Sequence, residues 1–333
     1  MNCLNCRVRF VLMVVVAIFR LTGSPAGRAE EPRRPELVKL PFAWHKGMEN
    51  TPVEFKGRQL LLMNRRDDTK VNTEGYLKTV YCYLIDLQTG EEFGRFAEGF
   101  SFVNGIVDGD RLHVFATEGT DFNWFQSIHH FWTDDLATWH QELAIQKAAD
   151  ENLFNPSVCR DDRGFLMAYE SNQPVQFCFR FARSKDLSHW EPVPDLIFRG
   201  ENNEYSACPV IRYFAPYYYV IYLHAAVPGH HGWISFIARS KDLATWQLSP
   251  MNPVLEAGPG EGHNNSDVDL FELNGKTYVF YATGDQATWC SLRMAMHPGP
   301  MKQFFEGWFP AGATMREIDA RMNSSLPAAA ASR

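Results

Sequence analysis

Acidic and amide side chains gather just ahead of apolar, strand-like runs at several places in this chain. In order they are Glu49-Asn50, Asn104, Glu151-Asn152 with Asn155, Glu201-Asn202-Asn203-Glu204, and Gly262-His263-Asn264-Asn265-Ser266-Asp267. Two carboxyl groups brought to one spot can do acid–base chemistry, one giving a proton while the other takes one or attacks. Asp267 is the first choice for base, since it precedes an apolar run with Asp269 on the same face at a period of two. Glu204 is the choice for acid, because Tyr205 and the apolar run beyond it would raise its pKa by desolvation. Glu49 can stand in for either. Glu170, closing the run 165–169, is a further carboxylate whose plain alternative is an edge-strand salt bridge. Turns are rich in Asn and Asp for reasons of their own. This set differs in recurring at equivalent places.

Around the carboxylates stand residues suited to hydroxyl-rich ligands. Asn155, Asn265 and His263 offer amide and imidazole contacts, and Arg65 and Arg66 follow the run 59–63, where solvated arginines are also common. Trp44, Trp124, Trp233 and Trp289 lie in or beside loops, where an indole can stack on an apolar face or pack between units. The pairs His129-His130 and His230-His231 lack the i,i+4 spacing of a helical zinc site. Gly258-Pro259-Gly260-Glu261-Gly262 lacks the Lys-Ser/Thr of a phosphate loop and leads into a strand. The chemistry needs no cofactor. A calcium ion held by Asp267, Asn side chains and backbone oxygens is the one metal these residue types would suit.

What must position these residues is written in a repeat. Thr133-Asp134-Asp135-Leu136-Ala137-Thr138-Trp139 returns as Ser184-Lys185-Asp186-Leu187-Ser188-His189-Trp190 and as Ser240-Lys241-Asp242-Leu243-Ala244-Thr245-Trp246. The tryptophans are 51 and 56 residues apart, an interval typical of four-stranded repeats. The Asp should accept a hydrogen bond from a backbone N–H two residues on, and the Leu and Trp should fill the space between neighbouring units. Five strand pairs can be laid out: 51–55 with 59–63, 102–107 with 112–116, 156–159 with 165–169, 207–213 with 217–223, and 267–273 with 277–282. Gly57, Gly109, Gly164 and Gly275 mark four of the turns, and Phe214-Ala215-Pro216 the other. Residues 141–150 are a short helix candidate. The expected fold is all-β, a five-bladed β-propeller over residues 37–320.

The ends read differently. Arg7 and Arg9 precede an apolar run from Phe10 to Phe19, with small residues through Ala26 and Ala29, which reads as a signal peptide over residues 1–29. That run is far short of the roughly 20 apolar residues a spanning helix needs. Residues 30–36 read as a linker and 321–333 as a loose tail. Loss of Arg7, Arg9, Arg20 and Arg28 takes the net charge from −7 to −11, which disfavours nucleic acid and anionic lipid as partners. Cys82, Cys159, Cys178, Cys208 and Cys290 remain, an odd set without metal spacing; they read as small buried hydrophobes with at most one disulfide. The product is secreted or periplasmic, and its oligomeric state is open.

In its Ser-x-Asp-Leu-x-x-Trp phrases the chain resembles the five-bladed propeller glycoside hydrolases of families 43, 32, 62 and 117. The likeness implies an exported glycosidase, exo-acting on an oligo- or polysaccharide, with two carboxylates at the propeller mouth. Those enzymes carry Asp-Pro on the first and third blades and a Glu on the fourth. Here those places read Thr51-Pro52 after Glu49, Asn155-Pro156, and Glu204 before Tyr205-Ser206-Ala207-Cys208-Pro209. The departures leave two other readings open: a sugar-binding propeller without catalysis, and glycosyl transfer or phosphorolysis on the same scaffold.

Overall fold

The computed structural model describes residues 33–321, apart from 45–46, 67–69, 71, 123–124, 176, 201–204, 225–231 and 286–287. The chain divides into Met1–Arg33 and Arg34–Arg333, and all the described strands lie in the second unit. The expected signal peptide, the start of the linker and all of the tail after Arg321 lie outside the described residues, as does Glu204.

The strand β1 (Val38–Trp44) comes first and pairs last. Three four-stranded antiparallel meanders come after it: β2 (Asn50–Phe55) to β3 (Arg58–Arg65), β4 (Tyr81–Asp86) and β5 (Glu92–Phe96); β6 (Phe100–Asp108) to β7 (Arg111–Glu118), β8 (Ile128–Thr133) and β9 (His140–Ile145); and β10 (Leu153–Asp161) to β11 (Gly164–Ser171), β12 (Cys178–Ser184) and β13 (Trp190–Phe198). The remaining strands share one nine-stranded sheet. Its first half runs β14 (Ser206–Phe214), β15 (Tyr217–His224), β16 (Ile234–Ser240) and β17 (Thr245–Leu248). Its second runs β18 (Asn264–Leu273), β19 (Lys276–Gly284) and β20 (Cys290–His297), and β1 completes it along the free edge of β20. A single Ile234–Asn265 pairing joins the halves, and after the helix α1 (Met301–Gly307) the strand β21 (Arg316–Asp319) extends β17.

The inner strands β2, β6, β10, β14 and β18 pack each against the next, and β18 returns to β2. A separate apolar layer fills each space between neighbouring meanders: Leu60, Leu84 and Val114 in one, Phe115, Met167 and Leu187 in the next, then Phe181, Val220 and Trp246, then Tyr219, Leu270 and Phe305, and finally Leu61, Ile85 and Phe280. Each second strand lies between two such layers and is buried on both faces. That is why Leu60-Leu61-Leu62-Met63 and Tyr218-Tyr219-Val220-Ile221-Tyr222-Leu223 read as unbroken apolar runs instead of alternating ones.

The repeated phrase joins the third and fourth strands of its meander. In the third copy Asp242 Oδ1 accepts from Ala244 N at 2.9 Å and Thr245 N at 2.8 Å, while Ser240 Oγ accepts from Leu243 N at 2.9 Å. The leucines take left-handed backbone (φ 64°, 69° and 65° for Leu136, Leu187 and Leu243), so that each side chain turns back into the apolar layer. Trp190 and Trp246 each donate their indole N–H to that leucine's carbonyl at 2.8 Å. The expected helix over 141–150 is instead β9 followed by a loop. His140 and Gln141 are exposed on this outer strand while Ile145 enters the core, so a half-exposed strand carries few apolar residues to mark it. Among the described residues, Cys82, Cys159, Cys178, Cys208 and Cys290 are free thiols.

Candidate active site

Four inner strands break register at the same height. The breaks fall between Ser101 and Asn104, Phe154 and Ser157, Ala207 and Val210, and Ser266 and Asp269. Each bulge contains one residue of left-handed backbone: Phe102 (φ 57°), Asn155 (φ 41°), Cys208 (φ 48°) and Asp267 (φ 48°). Bulges re-aim side chains and commonly border functional sites, and non-glycine residues held in this conformation are strained.

The residues ending the bulges form a tied ring. Asn104 Oδ1 accepts from Val158 N at 3.0 Å, and Ser157 Oγ accepts from Ile211 N at 3.1 Å. Asn104 Nδ2 in turn donates to Thr51 Oγ1 and to Asp269 Oδ2, both at 3.2 Å. This layer aligns Thr51 with Asn104 and Ser157, two residues beyond the bulge residues; β2 pairs with β3 without a bulge, and Glu49 and Asn50, just before Thr51, both reach the recess. The sequence comparison of Thr51-Pro52 with Asn155-Pro156 is therefore two residues out of step.

A recess of about 30 Å³ lies above the ring, lined by Glu49, Asn50, Asn104, Asn155, Cys208, Asp267 and the ring residue Asp269. Below it Asp269, 1% exposed, is ion-paired with Arg212 and closes the axis. Asn50 Nδ2 donates to the carbonyls of Asp267 (2.8 Å) and Met48 (3.0 Å), while its buried Oδ1 has no partner among the described residues and can accept from a ligand hydroxyl or a water.

Three carboxylates meet here in different surroundings. Glu170, from β11, is 3% exposed; its Oε2 accepts from Asn155 Nδ2 at 2.8 Å and from Cys208 N at 3.2 Å. Burial pushes its pKa up to about 7, against those two hydrogen bonds, and the charge of Asp267 pushes the same way. With Oε2 taken by N–H donors, the proton of the neutral acid belongs on Oε1. Asp267 is also raised by burial, but Ser266 Oγ donates to its Oδ2 at 2.6 Å and Arg66 adds positive charge nearby. Glu49, 8% exposed, is ion-paired with Arg66 at 2.8 Å, and that guanidinium lies 5.4 Å from the Phe102 ring centroid.

An aromatic row runs beside these carboxylates, from Phe102 near Arg66 to Tyr205 near Glu170. Phe102, Phe125, Phe154, Phe177 and Tyr205 stand in succession at centroid spacings of 5.5, 4.3, 5.7 and 4.9 Å. The Tyr205 hydroxyl is held well above its ordinary pKa by burial, then by Glu170, Cys208 and Asp267.

Of the residues singled out from sequence, Asp267, Glu49, Glu170 and Asn155 converge, with Trp233 beside them. Arg65 does not join them: it points to the outer side of its meander, 3.9 Å from Glu92, and its neighbour Arg66 holds the place, because successive side chains on a strand face opposite ways. Asn265 is buried in the junction with β16, its Nδ2 donating to the Asn264 carbonyl at 2.6 Å. His263 is exposed beside Gly232, and its backbone N–H donates to Gly284 at 3.2 Å. Glu151 serves Arg180 and Ser171, each at 2.7 Å. His130 gives both ring nitrogens to protein, at 2.8 Å to His113 and 2.9 Å to Glu142. Among the described residues no three His, Cys, Asp or Glu side chains are arranged to hold a metal. The surroundings of Asp267 do not suit the calcium expectation either, since Ser266 donates to it and Arg66 adds like charge where a cation would need oxygens. Sequence reasoning misses Cys208, Tyr205, Phe125 and Phe177; the signal for Cys208 is Cys208-Pro209 standing one repeat after Asn155-Pro156.

Neither a family model nor a curated protein matches the sequence. Solved structures do match. A GH43B protein of a Bacteroides ovatus xyloglucan PUL aligns with TM-score 0.56 at 12% identity, over 78% of this chain and 54% of its own. A GH32 β-fructofuranosidase of Bombyx mori aligns with TM-score 0.56 at 13% identity, over 78% and 62%. This chain shares their fold. A GH43 endo-arabinanase from Bacillus licheniformis aligns at TM-score 0.53 and 10% identity, over 75% and 93%. The chain thus spans just over half of the first of these proteins and about three fifths of the second. The resemblance drawn from the repeated phrases holds at the level of fold.

Proposed function

We propose that this protein is an exported glycoside hydrolase on a five-bladed β-propeller, acting at the end of an oligo- or polysaccharide chain. Glu170 is its proton donor and Asp267 its base or nucleophile. The observation that carries the reading is the unequal setting of these two carboxyls. Neighbouring carboxylates that repel lose their protons in two separate steps and hold one proton between them. The proton stays with the group less able to bear charge. Glu170 is the more deeply buried and is pushed up to about 7, whereas Asp267 accepts a hydrogen bond from Ser266 Oγ and feels the charge of Arg66.

The step follows from that division. Neutral Glu170 gives its proton to the glycosidic oxygen as the bond to the anomeric carbon breaks. Ionised Asp267 either takes a proton from an attacking water or attacks the carbon itself. The recess, closed below by Asp269 and Arg212, is of the size to take one hydroxyl of a terminal sugar, and the aromatic row beside the carboxylates offers a surface for the apolar face of a sugar ring.

The test is hydrolysis of pyranoside and furanoside oligosaccharides by the wild type beside Asp267→Asn, Glu170→Gln and Glu204→Gln. The reading expects single-sugar release, reduced about 10²–10⁴-fold by each of the first two substitutions. Loss in Glu204→Gln with full turnover in Glu170→Gln moves the acid to Glu204. Binding without turnover on every substrate makes the chain a sugar-binding propeller.

A further inference from the structure

Of the described residues that line the recess, Asn50 is the one with a buried side-chain polar atom left without a partner, its amide oxygen Oδ1. The residue is 5% exposed and its amide is pinned: Nδ2 donates to two backbone carbonyls, Asp267 at 2.8 Å and Met48 at 3.0 Å. A flipped amide would set its oxygen against both carbonyls, so the open atom is the acceptor. Asn104, at the base of the same recess, differs. Its Oδ1 accepts from Val158 N, and its Nδ2 donates to Thr51 and Asp269. A buried acceptor without a donor is costly, and native structures keep few of them unless a ligand or water completes the bond.

The size of the recess limits what can complete it. About 30 Å³ is room for a water-sized group and not for a sugar ring. The group must donate, because an amide oxygen only accepts, and Glu49, Asp267 and Asp269 line the same space with further acceptors. We infer that Asn50 selects the terminal sugar: one free hydroxyl of that sugar enters the recess and donates to Asn50 Oδ1. The assignment deepens the hydrolase reading above and rests on it for its substrate. A sugar lacking that hydroxyl leaves the acceptor unpartnered, and one already linked through it does not fit. The contact therefore refuses a deoxy sugar and confines cleavage to a chain end where that hydroxyl is free.

The test uses aryl glycosides of the sugar that the wild type releases, with each ring hydroxyl in turn replaced by hydrogen. In the wild type one position loses about a hundredfold in kcat/KM and the others far less. In Asn50→Ala the same replacement costs less than about threefold. Asn50→Ala also frees the Asp267 carbonyl and lowers turnover generally, so the readout is the ratio of parent to deoxy substrate, which a merely structural loss does not move. Asn50→Ser, which keeps a donor for a backbone carbonyl on a shorter arm, should lose the ratio as well if Asn50→Ala does not fold. A wild type that loses less than about threefold at every position overturns the inference without any variant, as does a folded variant that keeps the wild-type ratio. Dissociation constants of the free sugar and its deoxy forms, measured by isothermal titration calorimetry, give the same ratio without turnover. Turnover with no selective position leaves the hydrolase reading standing and removes the role of Asn50. Selective binding that Asn50→Ala abolishes, with no turnover, keeps the role of Asn50 and removes the hydrolase reading. Neither turnover nor binding on any sugar removes both.

Discussion

Glu170 is a carboxyl group placed where its charged form is poorly solvated, and that has a consequence for stability. Its pKa of about 7 in the folded chain stands against an ordinary value of 4.5. The folded state therefore favours the protonated form. The stability this lends is fully present below pH 4.5 and is lost as pH rises through 7. By pH 8 the loss approaches about 3 kcal/mol, an upper figure for a shift of this size. Glu170→Gln keeps the shape and removes the charge. It should raise unfolding free energy by on the order of 2–3 kcal/mol at pH 8 and change it little at pH 5, measured by urea denaturation at both. Equal effects at the two pH values would mean that Glu170 titrates normally. Sequence can only name Glu170 as a strand-end carboxylate. Its partners, Asn155 and Cys208, come from two other strands whose bulges no residue type announces.

At the scale of elements, the Ser-x-Asp-Leu-x-x-Trp phrase is a turn and a packing plug together, and its parts differ in weight. Trp246 is fully buried against Phe181 and Phe198, with ring centroids at 6.0 and 4.9 Å. Trp246→Ala should cost about 3–5 kcal/mol, as for other large-to-small changes in a core. Asp242→Ala removes one carboxylate serving two backbone N–H groups near the surface and should cost about 1 kcal/mol. Chemical denaturation of both variants checks the ordering, and a larger loss for Asp242 would make the turn, not the plug, the stabilising part. This phrase is fully legible because its job is local: Asp, Leu and Trp act within seven residues. The strand β9 is illegible because its partner strand and its place at the outer edge, not its own periodicity, make it a strand.

At the scale of the molecule, the chain closes on itself. β1 pairs with β20 some 250 residues later, placing the first described strand on the last meander and leaving the inner strands in a ring. The five strand pairs read from sequence are all present, since each is a short antiparallel hairpin with a turn signal. The closure by β1 escapes a sequence reading, because nothing local marks a pairing over that distance. The site lies between these cases. Asp267, Glu49 and Asn155 are found from their places in the repeat. Sequence favours Glu204 over Glu170, because a residue next to an inner strand is by position better aimed than one at the end of a second strand. The central claim is that the ring brings a protonated Glu170 and an ionised Asp267 to one bond. It is tested most directly by leaving-group dependence, with the same sugar carried on a poor leaving group, an alcohol, and on a good one, 2,4-dinitrophenol. Glu170→Gln should lose turnover on the alkyl glycoside and recover most of it on the dinitrophenyl glycoside, whose oxygen leaves without a proton, while Asp267→Asn stays inactive on both. Recovery in Asp267→Asn instead, or full activity of Glu170→Gln on the alkyl glycoside, would contradict the assignment.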